Sequence, residues 1–192
     1  MMLRCWPLLL LGLTACGPKP GEQHLPALRE ALMSVDSAAA RFEAADHDAA
    51  LPAHARVDST LAIVEARMQG LVVNLEQGQP FSVLDERRRM LKRQPGRVRR
   101  IRQEVDRTRR QIGHLVDAIV DRAKVDAEGT PIDGAYFDRV AGDELRIAGH
   151  LTEEIDIALD FLERGLRDLD GVLHRADSAS LALSSIPESP AP

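Results

Sequence analysis

The apolar residues of this 192-residue chain recur three and four positions apart, and this spacing constrains the fold more than any other feature of the sequence. One such stripe consists of Val57, Leu61, Val64, Met68, Leu71 and Leu75. Side chains at this spacing share one face of an α-helix, whereas a half-buried strand requires alternation at every second residue. Because no strand pattern competes with the stripes, the sequence predicts an all-α protein.

Proline and glycine mark the predicted limits of the helices. Helices are expected at about 26–51, 53–77, 97–124 and 136–176, with a shorter one at 82–93. The predicted breaks are Pro52, Gly78-Gln79-Pro80 and Gln94-Pro95-Gly96, and Ser82 with Asp85 predicts the cap of the shorter helix. Gly142 and Gly149 predict a kink in the last segment. The expected architecture is an elongated antiparallel bundle of three to four long helices with coiled-coil-like packing.

The N-terminus combines a positive charge, an apolar run and small residues. Arg4 is followed by apolar residues 6–13, and Leu13-Thr14-Ala15-Cys16 ends the run. This order is typical of a secretory signal, and the run is shorter than the roughly 20 apolar residues of a membrane-spanning helix. The tetrapeptide resembles the lipobox of bacterial lipoproteins, a likeness that covers only the first 16 residues.

The lipoprotein resemblance implies cleavage before Cys16 and acylation of this cysteine, which would anchor the chain to a membrane. Gly17, in place of an aspartate, implies the outer membrane on its periplasmic side. The expected organisation is therefore a signal peptide at 1–15, a lipidated cysteine and Pro/Gly tether at 16–25, a helical domain at 26–177, and a disordered tail at 178–192. Cys5 would leave with the signal, so no disulfide is expected in the mature chain.

Charge is distributed unevenly along the chain. Residues 85–110 contain twelve basic and four acidic residues, whereas residues 126–177 contain five arginines and fourteen acidic residues. On the predicted helix 97–124, a helical wheel places four arginines opposite the apolar stripe: Arg99, Arg100, Arg107 and Arg110. Guanidinium groups suit carboxylates and phosphates, so these arginines form a candidate patch for an anionic partner.

The alternative interpretation is that the arginine patch is balanced within the molecule. The last predicted helix supplies the opposite sign through Asp156, Asp160, Glu163, Asp168 and Asp170. Ion pairs between exposed groups contribute only about 0–1 kcal/mol each, so such balance would fix helix register more than stability. The sequence leaves both interpretations open.

Histidines and catalytic motifs give no comparable signal. His47 and His54 flank the first predicted turn and are the nearest candidates for metal ligands, but they lack a close ligand spacing, so no metal site is predicted. No nucleophile elbow, zinc-protease, haem-attachment or phosphate-loop motif occurs, so no catalytic residue and no cofactor is expected. Aromatic residues make up only 3% of the chain, which argues against single-stranded nucleic acid as a partner.

These observations predict a lipid-anchored, non-enzymatic protein of the cell envelope. It would act as a binding, accessory or scaffold protein, with an envelope protein or anionic lipid as its partner. The alternative function is a periplasmic carrier of a small ligand or metal, built on the interior of the helical bundle.

Overall fold

Helices dominate the computed structural model, which describes residues 19–126 and 129–185. In this part of the chain the α-helices are α1 (Leu25–Glu43), α2 (Ala50–Met68), α3 (Leu75–Lys92), α4 (Gln94–Val120), α5 (Gly134–Leu166) and α6 (Leu169–Ser184). Single-turn 3₁₀ helices, Glu22–His24 and His47–Ala49, precede α1 and α2. Long helices pack against one another, which confirms the predicted all-α bundle.

The helices form three long legs, each broken once: α1 with α2, α3 with α4, and α5 with α6. α1, α4 and α5 pack together as the first bundle, and α2, α3 and α6 pack together as the second bundle. Ion pairs of His24 with Asp138 and of Arg41 with Asp156 show that α1 runs parallel to α5. α4 runs antiparallel to α1, since its later residues pair with earlier residues of α1.

Each bundle has its own core. In the first bundle the fully buried side chains include Leu28, Val35, Ile101, Ile112 and Ile155, with Phe42 and Phe137 almost completely buried. The core of the second bundle is smaller and contains leucines, valines and alanines, among them Ala50, Ala53, Val57, Leu84, Leu91 and Ala176. The stripes of spacing three and four therefore supply both cores, but the stripe of α2 ends earlier than predicted, since Leu71 lies beyond the helix and Leu75 is 95% exposed.

α5 runs without a break past the points where the first leg (between α1 and α2) and the second leg (between α3 and α4) are interrupted. The fully buried Gln94, at the start of α4, donates its Nε2 to the carbonyl of Ala158 at 3.1 Å, within α5. Further along α5, Leu162 belongs to the core of the second bundle, and Gly165 lies against Leu91 of α3. With 33 residues, α5 is about 50 Å long and contributes to both cores.

The break of the first leg was predicted at Pro52, and this prediction is wrong. The helix ends at Glu43, and Pro52 lies in the first turn of α2. In the first turn of a helix the backbone N–H groups have no acceptor within the helix, so proline, which lacks an N–H, breaks no hydrogen bond there. The break occurs instead around Asp46, whose side chain accepts a hydrogen bond from the backbone of Ala49 at 3.2 Å.

The limits of α2, α3 and α4 also differ from the predicted ones. α2 ends at Met68, and α3 begins after Asn74, which forms a capping box with Gln77. The predicted break at Gly78-Gln79-Pro80 and the predicted cap at Ser82 and Asp85 are therefore both wrong, because α3 begins before these residues and continues through Pro80. The predicted turn at Gln94-Pro95-Gly96 is also wrong, because these residues form the first turn of α4 and a single residue, Arg93, separates the helices.

The third leg has no break at either predicted glycine. Gly142 and Gly149 lie within α5, with open space where a Cβ would be. The break lies at Arg167 and Asp168, where Asp168 adopts a left-handed conformation with φ of 49°. Gly171 packs directly beneath the Asp168 carboxylate, so that a Cβ at this position would lie 2.3 Å from Asp168 Oδ1.

The ends of the helical domain extend beyond their predicted limits. The predicted tether reaches residue 25, but Gly21 is already buried, close to Phe137 and Ile119 at the end of the first bundle. The predicted disordered tail begins at 178, but α6 continues to Ser184, with Ser180 fully buried. The predicted signal peptide, Cys16 and residues 186–192 lie outside the described residues.

Candidate functional site

The basic helix α4 has one flank of arginines that faces α1. Arg102 binds Glu43 through two hydrogen bonds, Nε to Oε1 at 2.8 Å and Nη2 to Oε2 at 2.7 Å. One repeat later, Arg109 donates its Nε to Asp36 Oδ1 at 2.7 Å. These two arginines lie outside the predicted patch, and they hold α4 to α1.

The opposite flank of α4 faces α5 and contains two of the predicted patch residues. Arg100 pairs with Glu154 of α5. Arg107 lies 3.8 Å from Glu104 of its own helix, and its charge offsets part of the effect of burial, which raises the pKa of the Glu144 carboxyl on α5. Arg100 therefore links α4 to α5, whereas Arg107 pairs within α4, and both side chains remain largely exposed.

The remaining two arginines of the predicted patch point away from both neighbouring helices. Arg99 and Arg110 are exposed and have no ion-pair partner among the described residues. They are eleven positions apart on the outer face of α4, which corresponds to about 16 Å along the helix. All four predicted residues are thus exposed, and among the described residues Arg100 and Arg107 have an ion-pair partner whereas Arg99 and Arg110 have none.

The acidic residues proposed to balance the patch have other partners. Asp156 pairs with Arg41 at 3.0 Å, and Asp170 pairs with Arg56. The other three pair within their own leg: Asp160 with Arg164, Glu163 with Arg167 and Asp168 with Arg175. Among the ion pairs of the described residues, the last leg therefore balances one arginine of the predicted patch, Arg100, through Glu154.

The histidines near the first break have local partners. His47 lies against the ring of Phe42, with centroids 4.3 Å apart, and its Nε2 lies 2.6 Å from the Phe42 carbonyl oxygen. His54 Nδ1 lies 3.4 Å from Asp58, which also accepts a hydrogen bond from Arg88 at 2.7 Å. Across residues 19–126 and 129–185, no group of three or more histidine, cysteine, aspartate and glutamate side chains has the arrangement of a metal site.

A cavity of about 330 Å³ lies between the second half of α4, the connection that follows it and the first half of α5. Its apolar lining includes Leu115, Ile132 and Val140, and the ring of Tyr136 forms part of the wall. Its polar lining includes Gln111, His114, Asp126 and Glu144. The volume is at the lower end of the range for small-molecule pockets, about 300–1,000 Å³.

Two residues that line this cavity each have an acceptor atom without a hydrogen-bond partner among the described residues. Glu144 is only 9% exposed, and its Oε2 and the Oε1 of Gln111 are both buried without a donor. Burial raises the pKa of the Glu144 carboxyl, whereas nearby Arg107 lowers it and Asp143 raises it further. A buried polar atom left without a partner is costly, so each such atom requires an explanation.

The sequence contained a signal for Glu144 that the predicted patch did not use. The buried positions of α5 near it are Phe137, Ala141, Glu144, Ala148, Leu151 and Ile155, which are spaced alternately four and three apart. A carboxylate at a position of the apolar stripe is therefore visible in the sequence itself, although the cavity beside it is not.

The chain matches no known protein family, and no curated protein or solved structure is significantly similar to it. Within the described residues, no helix is both long and apolar enough to cross a membrane.

Proposed function

We propose that this protein is a lipid-anchored, non-enzymatic binding protein of the bacterial cell envelope. Cys16 would hold it on a membrane, and the exposed Arg99 and Arg110 would bind an anionic partner. The lipobox resemblance supports the anchor and a location at the outer membrane facing the periplasm. The buried Gly21 supports a short tether, since only four residues separate Cys16 from the first bundle.

One observation supports this binding site: Arg99 and Arg110 have no ion-pair partner in the part of the chain that the structure describes. On the flanks of α4, by contrast, arginines pair with neighbouring helices: Arg100, Arg102 and Arg109. A paired arginine would have to lose its carboxylate before it could bind a partner. Arg99 and Arg110 need no such exchange. They would bind carboxylates of an envelope protein or phosphates of anionic lipid through the planar donors of guanidinium.

The docking site is tested by the double variant Arg99→Glu/Arg110→Glu in the full-length protein. A matched control is Arg29→Glu/Lys92→Glu, which changes the net charge equally at two other exposed residues without an ion-pair partner among the described residues. In-cell crosslinking detects a protein partner, and flotation with anionic vesicles detects lipid binding. We expect the first variant to lose crosslinks or flotation by at least tenfold and the control to retain them. Equal behaviour of both variants would show that the outer face is not the site.

The anchor is tested separately by Cys16→Ala. We expect this variant to move from the membrane fraction to the soluble fraction, since a lipid chain contributes about 0.8 kcal/mol per buried CH₂ group. Retention of the variant on membranes that lack the docking partner would contradict the anchor.

A further inference from the structure

The cavity between α4 and α5 is separate from the outer face of α4, and the proposed function makes no use of it. Its wall combines apolar side chains with two buried acceptors, Gln111 Oε1 and Glu144 Oε2. An occupant that satisfies both atoms must donate hydrogen bonds, because a carboxylate and an amide oxygen only accept them.

The charge around the cavity favours a cationic donor. Arg107 is the positive group that acts on Glu144, but its guanidinium lies 3.8 Å from Glu104 and leaves Glu144 Oε2 without a partner. Asp143 adds a second negative charge near the same carboxyl. Since hydrogen bonds between charged groups are about twice as strong as neutral ones, a cation satisfies this carboxylate better than water or an alcohol does.

The rest of the cavity wall is apolar and therefore favours a ligand whose remaining part is apolar. Leu115, Ile132 and Val140 line the cavity beside the ring of Tyr136. Small-molecule sites commonly join such a lining with a few polar groups that fix the orientation of the ligand. We propose that this cavity binds a small molecule with a protonated amine on an apolar body, and that the amine donates to Gln111 Oε1 and Glu144 Oε2.

Tyr136 offers a direct reporter, because it is the single tyrosine of the 192-residue chain. Full-length protein labelled with 3-fluorotyrosine gives one ¹⁹F resonance, located at the cavity wall. Benzylamine is the probe, and benzyl alcohol is the neutral probe of matching shape. We expect a saturable shift of this resonance with benzylamine, and binding of benzyl alcohol that is at least about tenfold weaker.

The variant Glu144→Gln preserves the shape of the side chain and removes its charge. We expect it to bind benzylamine at least about tenfold more weakly than the unmodified protein does. Glu153→Gln is the matched control, because Glu153 is exposed on α5 and its one ion-pair partner among the described residues is His150, at 3.9 Å. This control should bind benzylamine normally, and circular dichroism verifies that both variants are folded.

Gln111→Leu provides a second test if Glu144→Gln does not fold, and it should weaken benzylamine binding several-fold. The proposal is overturned if benzylamine gives no saturable shift, if benzyl alcohol binds equally well, or if folded Glu144→Gln binds benzylamine as tightly as the unmodified protein does. None of these results depends on membrane attachment or on the outer arginines.

Discussion

The two bundles share one helical spacing but differ in what they bury. The first bundle encloses large side chains, such as Phe42, Ile112 and Phe137, and ion pairs along α4 flank its helix interfaces. The core of the second bundle is smaller and consists of leucines, valines and alanines, with Phe81 only partly buried against it. At its outer end, Val72 is 99% exposed and Leu75 is 95% exposed. Since hydrophobic stabilisation scales with the apolar area buried, the first bundle should be the more stable of the two.

The largest expected effects come from cavities in the two cores. Ile112→Ala in the first bundle and Leu84→Ala in the second each remove a fully buried side chain and should cost about 2–5 kcal/mol. Native-state hydrogen exchange should separate them. Ile112→Ala should lower amide protection throughout the molecule, whereas Leu84→Ala should lower it mainly in α2, α3 and α6. If both variants lowered amide protection in α4 equally, the two bundles would not differ in stability.

A smaller effect is expected where α5 joins the second bundle. In Gly165→Ala, the new Cβ would lie 2.8 Å from Leu91 Cδ2, so the contact of α5 with α3 must shift. Overpacking of this kind should destabilise the protein by about 1–3 kcal/mol. Gly149→Ala is the control on the same helix, because its Cβ would enter open space and should stabilise by up to about 1 kcal/mol. Chemical denaturation measures both, and similar values for the two variants would show that α5 adapts freely at Gly165.

The buried carboxyl of Glu144 weakens the first bundle at neutral pH. Burial raises the pKa of this carboxyl, so Glu144 keeps its proton to a higher pH in the folded protein than in the unfolded chain. Stability should therefore fall as pH rises from the ordinary glutamate pKa of about 4.3 through the raised value. Glu144→Gln should be more stable than the unmodified protein at neutral pH, and this gain should vanish on acidification. Thermal unfolding across the pH range provides the measurement, and a gain that persists in acid would indicate a different cause.

The smallest effect has the opposite sign. The hydrogen bond from Arg102 lowers the pKa of Glu43, so this carboxylate stabilises the fold above the ordinary glutamate pKa. That contribution should be lost as pH falls through the lowered pKa of the folded state. Glu43→Gln should therefore be slightly less stable at neutral pH and equal to the unmodified protein in acid. The same thermal series tests this, with Glu30→Gln as an exposed control on α1.

The sequence predicts the helices well because the stripes determine which residues can be buried. It misplaces their limits because proline is compatible with the first turn of a helix, as at Pro52 and Pro95. The break at Asp168 depends on a left-handed residue and on contacts that form only in the folded molecule. A helical wheel places Arg100 on an outward face, but only the position of α5 shows that it pairs with Glu154 of that helix.

The continuity of α5 has a mechanical consequence. A rod made of three legs bends most easily at a level where all its legs are interrupted. Here two interruptions lie beside unbroken turns of α5, close to Ala158, and the third comes only after Leu166. α5 is therefore the continuous helix that connects the two bundles at this level, and bending of the second bundle relative to the first would be resisted chiefly by this helix.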